Sequence, residues 1–252
     1  FSAAEQAQKQ YRERLAEINH EVLGEAHREK RLTVLLAGRP YHTDPLIQHR
    51  VAEMAAAMGV YVITDDIVYD EKLSIDDTIY LSQWAYPNRI LKAAKWAGLQ
   101  GADVQYMQLT SFGCGPDAFL TNEVRATLER HHKNLTLLKI DDIDNVGSVK
   151  LRVRSLVESL KISHNKAEAN AVPFETTPAF TKAERSRTII APFFTPFLSP
   201  LIPAAMKVAG FNVVNLPMSD TASDELGLRY SNNEVCYPAT LIVGDVVKAF
   251  KS

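Results

Sequence analysis

Arg31-Leu32-Thr33-Val34-Leu35-Leu36-Ala37-Gly38-Arg39-Pro40-Tyr41-His42-Thr43-Asp44-Pro45 joins a short apolar run to a loop dense in glycine, arginine, histidine and aspartate. Residues 31–37 read as a strand covered on both faces, because the run is continuous rather than alternating. Asp44-Pro45 reads as a helix start, with aspartate as N-cap and proline at the first helical position. Ile47, Val51, Met54 and Met58 then share one helical face, and Gly59 closes the helix. Val60-Tyr61-Val62-Ile63 follows as a second strand.

The same rhythm continues. A helix runs from Pro87 to Ala97 and is stopped by Gly98; a strand spans 104–109, a helix 117–131, a strand 135–140 and a helix 149–160. Strands alternating with helices predict a parallel sheet with helices on both faces. Upstream, residues 3–30 form a polar helix with a narrow apolar stripe of Tyr11, Leu15, Ile18, Val22 and Ala26. Residues 163–187 are polar, contain Pro173 and Pro178 and lack a period, as expected of a linker. Beyond them come strand 188–191, a helix from Pro200, Gly210 and strand 211–214.

This restart is an internal repeat. Pro45-Leu46-Ile47 matches Pro200-Leu201-Ile202, with the second copy of that helix expected to be four residues shorter. Gly59 with Gly210, Val62 with Val213, and Tyr86-Pro87 with Tyr237-Pro238 then agree on one offset of 151. The expected fold class is α/β: two flavodoxin/Rossmann-like parallel-sheet halves from a duplication, preceded by an N-terminal helix. The expected organisation is a helix over 1–30, a first α/β domain over 31–162, a linker over 163–187 and a second domain over 188–252. By the repeat, the strand matching 104–109 would begin at Ser252. The second domain is therefore expected to be truncated, and the chain, which opens on Phe1, to be a piece of a longer protein.

Composition bounds the function. The chain has 252 residues, 46% hydrophobic and 23% charged, with formal charge −2 and two cysteines. Near-neutral charge argues against general nucleic-acid binding, which needs a basic face. No apolar run approaches the ~20 residues that span a bilayer, and no signal peptide opens the chain. Two cysteines make no disulfide scaffold, so a reducing cytoplasm is the expected location.

In an open parallel sheet, ligands bind beyond the carboxyl ends of the strands. The first such loop, with Gly38, Arg39, Tyr41, His42 and Asp44, offers a guanidinium, an imidazole and a helix start to an anion. Its bland reading is a turn that Asp44 caps while Arg39 pairs with a carboxylate. The second, Thr110-Ser111-Phe112-Gly113-Cys114-Gly115-Pro116-Asp117, sets Cys114 between glycines at a helix start, where a thiolate is stabilised. Ser111 and Gly113 flank it. Cys236 stands in Asn232-Asn233-Glu234-Val235-Cys236-Tyr237-Pro238, again as Cys-x-Pro at a helix start. Ala85 occupies the matching place in the first copy, so the fold does not require this cysteine. Each cysteine could instead be a small core hydrophobe. Two cysteines do not complete a metal site, which usually takes four ligands. The Asp141-Asp142-Ile143-Asp144 cluster could hold a cation or simply make turns. Neither a dinucleotide fingerprint nor a P-loop is present, and no triad or carboxylate pair supports hydrolysis.

Leu36 to Pro45, Gln108 to Ala118, Asn232 to Ala239, and Lys139-Ile140-Asp141 with Arg152-Val153-Arg154-Ser155-Leu156 together resemble one family. It is that of the large bacterial acyl-CoA dehydratase activase-related proteins, often described as activators of (R)-2-hydroxyglutaryl-CoA dehydratase. The resemblance covers residues 31–252 and is strongest in these strings. It implies an ATP-driven, low-potential electron-transfer system of anaerobes, in which this chain belongs to the dehydratase-like acceptor region. Cys114 and Cys236 would then be candidate ligands of a [4Fe-4S]-type cluster, incomplete in this piece alone. The implied partners are ATPase modules of the same full-length polypeptide and an acyl-CoA or other anionic small molecule. Lacking the phosphate-binding loops of those modules, the chain should not hydrolyse ATP. Two other readings stay open: a non-redox domain binding a small anionic or CoA-like ligand, and a docking domain for the ATPase modules.

Overall fold

The computed structural model describes residues 1–69, 71–78, 84–111, 115–140, 146–163, 180–232 and 235–251. The chain divides into two units, one holding Phe1–Phe112 with Phe119–Phe174, the other Gly113–Ala118 with Glu175–Ser252.

In the first unit, strands β1 (Thr33–Ala37), β2 (Tyr61–Thr64), β3 (Val104–Thr110) and β4 (Thr136–Lys139) form one parallel sheet in the order β2-β1-β3-β4. That is the order with which flavodoxin-type sheets begin. Its helices are α1 (Ser2–Glu29), α2 (Val51–Ala57), α3 (Ala85–Leu99), α4 (Gly115–Arg130) from Phe119 onward, and α5 (Val146–Ser163). All five β1 residues are buried, which is why the run carries no polar alternation. Leu35, Ile63, Val104 and Tyr106 pack with Ile90, Leu91 and Ala94 of α3 and Leu120, Val124 and Leu128 of α4. Val34, Leu36, Val60, Met107 and Leu138 face the other way, with Val51 and Ala55 of α2 and Val153 and Val157 of α5. The chain is therefore mixed α/β with helices on both faces of a parallel sheet, as its alternation requires.

The second unit holds β5 (Thr188–Ala191), α6 (Ile202–Val208), β6 (Asn212–Asn215), α7 (Thr221–Tyr230) and α8 (Tyr237–Lys251), with β5 and β6 parallel. The repeat is visible in its pairing. Thr33 faces Tyr61 as Thr188 faces Asn212, and Leu36 faces Thr64 as Ala191 faces Asn215. Gly59 and Gly210 both take φ +82°, a left-handed turn that favours glycine, and each lies against an arginine, Arg31 and Arg185.

Several expectations are corrected. No helix starts at Asp44-Pro45. Asp44 Oδ1 accepts from the Leu46 and Ile47 N–H groups at 2.8 and 3.2 Å and so closes a turn. His49 and Arg50 then take φ +51° and +58°, which no helix tolerates, and α2 starts at Val51. Consequently α2 and α6 have seven residues each, at the 151 offset, and the four-residue difference lies in the turn before them. Gly98 lies inside α3 rather than ending it; a Cβ there would meet the His131 ring at 2.6 Å. The buried face of α1 is Ala16, Asn19, Leu23 and Ala26, while Tyr11 and Ile18 are exposed. Asn19 is buried because it holds the outer edge of the sheet: its Oδ1 accepts the Thr64 N–H at 2.6 Å and its Nδ2 donates to Thr64 Oγ1 at 3.1 Å. Helix α7 was not expected from sequence; Asp220 caps it by accepting the Ser223 N–H at 3.0 Å. The Asp141–Asp144 cluster and residues 164–179 of the expected linker lie outside the described residues, while residues 182–186 form a 3-10 turn.

Candidate functional site

The loops that follow β1 and β2, and Ser111 at the end of β3, stand at the carboxyl edge of the first sheet. After β1, residues Pro40–Thr43 make one 3-10 turn, and His42 is folded back into it, 2% exposed. Its Nδ1 accepts the Arg39 N–H at 3.1 Å, so Nε2 carries the proton and donates to Ser111 Oγ at 2.9 Å. The imidazole thereby ties the β1 loop to the end of β3. A Cβ on Gly38 would stand 2.6 Å from His42 Nδ1, so the ring can occupy this place only beside a glycine. The loop continues to β4: His49 Nε2 donates to the Ile140 carbonyl at 3.2 Å. Gln48 fastens α2 to it, donating to the Thr43 carbonyl at 3.2 Å and accepting the Ala52 N–H at 3.1 Å.

A second brace comes from the end of β2. Asp65 is 2% exposed, and its carboxylate accepts the Gly38 N–H and Arg89 Nε, the latter at 3.1 Å. Arg89 Nη1 donates to Asp66 Oδ1 at 3.0 Å, so one guanidinium from α3 joins both carboxylates. Burial pushes the Asp65 carboxyl up to about 7; Arg89 and the Gly38 N–H pull it down, while Asp66 pushes it up. Tyr106 beneath it is raised well above the ordinary tyrosine value, by burial first and the Asp65 charge second.

Around these braces stands an apolar rim. Tyr41 and Ile47 are nearly half exposed and Leu46 is 84% exposed; Trp84 and Tyr86, at the start of α3, are comparably open. Arg39 is partly buried. The edge thus presents a rigid backbone turn, one guanidinium and a set of uncovered apolar side chains, a combination suited to an anion with an apolar body.

The sequence-derived candidates separate as follows. Gly38, Arg39, Tyr41, His42 and Ser111 come together at this edge, His42 as a buried strut. Asp44 closes the turn behind it. Gly113 and Cys114 lie outside the described residues. Cys236 belongs to the second unit, where it is partly exposed just before α8 and its carbonyl accepts the Thr240 N–H at 3.0 Å. Asp65, Asp66, Arg89 and His49 were not anticipated. The signal was present for the first two: paired aspartates directly after an apolar strand, at the same carboxyl edge as the β1 loop. Among the described residues no three His, Cys, Asp or Glu side chains are grouped to hold a metal ion, and Cys236 is their only thiol. The described residues therefore do not by themselves supply the ligands of an iron–sulfur cluster.

Fold and edge define a parallel α/β protein with a braced loop at the carboxyl end of its first strand. Residues 1–68 match the family described as CoA enzyme activase uncharacterised domain (DUF2229). The matched stretch holds α1, β1, the Gly38–Asp44 loop, α2, β2 and Asp65, and relates this part of the chain to CoA enzyme activases. Neither curated proteins nor solved structures gave a match to the chain. Among the described residues no helix is long and apolar enough to cross a membrane.

Proposed function

We propose that the chain is the dehydratase-like module of an ATP-dependent activator of a 2-hydroxyacyl-CoA dehydratase, passing low-potential electrons within a longer cytoplasmic polypeptide. The match of residues 1–68 to a CoA enzyme activase domain carries this reading. In it, ATPase modules of the same polypeptide supply the driving force, and Cys114 and Cys236 contribute thiolates to a [4Fe-4S]-type cluster whose other ligands lie elsewhere. Such a cluster would supply one-electron chemistry. The chain's own residues have a different task. The His42 and Asp65 braces hold the Gly38-Arg39 turn rigid, and rigidity there spares a bound ligand the ordering penalty of a loose loop. The full-length protein, purified without oxygen, should contain iron and acid-labile sulfide that Cys114→Ala and Cys236→Ala each lower. Unchanged iron in both variants would sink the reading.

A second reading is favoured by Arg39, set on that braced turn among Tyr41, Leu46 and Ile47. Here the edge binds a small anionic or CoA-like molecule without redox chemistry. A charge-assisted hydrogen bond contributes about 1.5–3 kcal/mol, so Arg39→Ala should weaken coenzyme A binding about 10- to 100-fold in calorimetry. Cysteine substitutions should leave that binding intact.

A further inference from the structure

The two copies of the repeat allow one surface to be compared with its own counterpart. In the second unit, a shallow cavity of about 490 Å³ opens where α6 meets the start of β6, lined by Arg185, Pro203, Ala204, Lys207, Phe211 and Asn212. Its lining contains two cations and no carboxylate. The Arg185 guanidinium lies over the Phe211 ring at 4.8 Å, which holds it in place. The neighbouring Glu184 is turned away: it accepts the Thr181 N–H at 2.9 Å and pairs with Arg187 at 3.6 Å.

The equivalent surface of the first unit has the opposite charge. Arg31, against Gly59 as Arg185 is against Gly210, pairs with Glu29 at 3.3 Å and donates to the Gly59 carbonyl at 3.0 Å. Glu25 and Glu29 of α1 both act on Tyr61, raising its hydroxyl after burial has done so. At the 151 offset, Glu53 stands where the second copy has Ala204, and Ala56 where it has Lys207. The same surface is thus acidic and internally paired in the first unit, cationic and open in the second. Lys207 is not needed by the fold, since the first copy builds the same β–α–β unit with alanine in its place.

We propose that this cavity is a binding site for a small amphipathic anion, a phosphate or carboxylate carried on an apolar body. Arg185 and Lys207 take the charged group, and Pro203, Phe211 and the stem of Lys207 cover the apolar part. The site is built from residues of the second unit alone. The test is a titration of the chain with phenyl phosphate, followed by the amide resonances of Gly210 and Asn212. Saturable shifts are expected, weakened about tenfold or more by Lys207→Ala and by Ala204→Glu, which install the residues of the first copy on an exposed surface. Phenol should produce no such shifts, and inorganic phosphate should bind more weakly than phenyl phosphate. The absence of saturable shifts, or shifts indifferent to both substitutions, would overturn the site. Inorganic phosphate binding as tightly as phenyl phosphate, or phenol reproducing the shifts, would overturn the ligand class.

Discussion

Asp65 is the residue on which the β1 loop leans, and its protonation should be read in the stability of the protein. Its folded value of about 7 lies above the unfolded value of 3.8. Between these limits the folded state holds a proton that the unfolded state has released, so this group makes stability fall as pH rises from about 4 to 7. Asp65→Asn should remove that part of the slope, measured as the urea midpoint against pH; an unaltered slope would show that Arg89 keeps the carboxylate ionised throughout. Lys133 presents the converse case. Its three N–H donors are shared among the carbonyls of Ala97, Gln100, Gly101 and Val104, the last three at 2.9, 2.9 and 2.7 Å. Burial lowers the ammonium to about 8, whereas Asp103 raises it, and the four acceptors also favour the charged form. Lys133→Met would leave buried carbonyls without a donor where α3 passes into β3, and should cost about 2–4 kcal/mol in chemical denaturation.

Among the elements, α7 and α8 are joined most tightly, and glycine is the reason. A Cβ on Gly244 would run into the Ser223 carbonyl, and one on Gly227 into that of Thr240. The helices therefore cross backbone against backbone. Lys248 completes the crossing by reaching Asp220 at 2.9 Å and Ser223 Oγ at 3.1 Å. Gly244→Ala should destabilise by about 3 kcal/mol or more, because the obstacle is main chain and cannot rotate away. Calorimetric melting would check this, and a neutral result would mean that the helices can separate without loss. The Asp220 cap is an element-scale effect too. Lys248 first, and the Ser223 donors next, hold this carboxyl down to about 2, so its stabilising contribution is present above about 4 and fades as pH falls towards 2.

At the scale of the molecule, the two copies keep one register but bury it differently. Leu35 in β1 is fully buried between α3 and α4, while its counterpart Ile190 in β5 is only partly covered. Leu35→Ala should cost about 3–5 kcal/mol, within the range for a sealed core site. Ile190→Ala should cost about 1–2 kcal/mol, since part of its surface already meets solvent. Equal losses in urea unfolding would mean that β5 is as closely covered as β1.

Much of this was legible in the sequence because it depends on local rules. Unbroken apolar runs mark strands covered on both faces, glycines at a common offset mark the same left-handed turns, and clustered polar residues after Ala37 mark the carboxyl-edge loop. What eluded the sequence depended on neighbours distant in the chain. Asp44-Pro45 has the form of a helix start, yet the left-handed His49 and Arg50 postpone the helix to Val51, where its apolar face meets α5. His42 looked like a ligand-facing group and is a buried strut, because its partner Ser111 lies 69 residues away. Asp65 gains its altered acidity from Arg89, Gly38 and the closing of the core around it. Periodicity and punctuation are properties of adjacent residues and survive in the sequence alone. Burial, tautomer, charge state and the contrast between the two copies arise only when remote segments exclude water from one another, and those the tertiary structure decided.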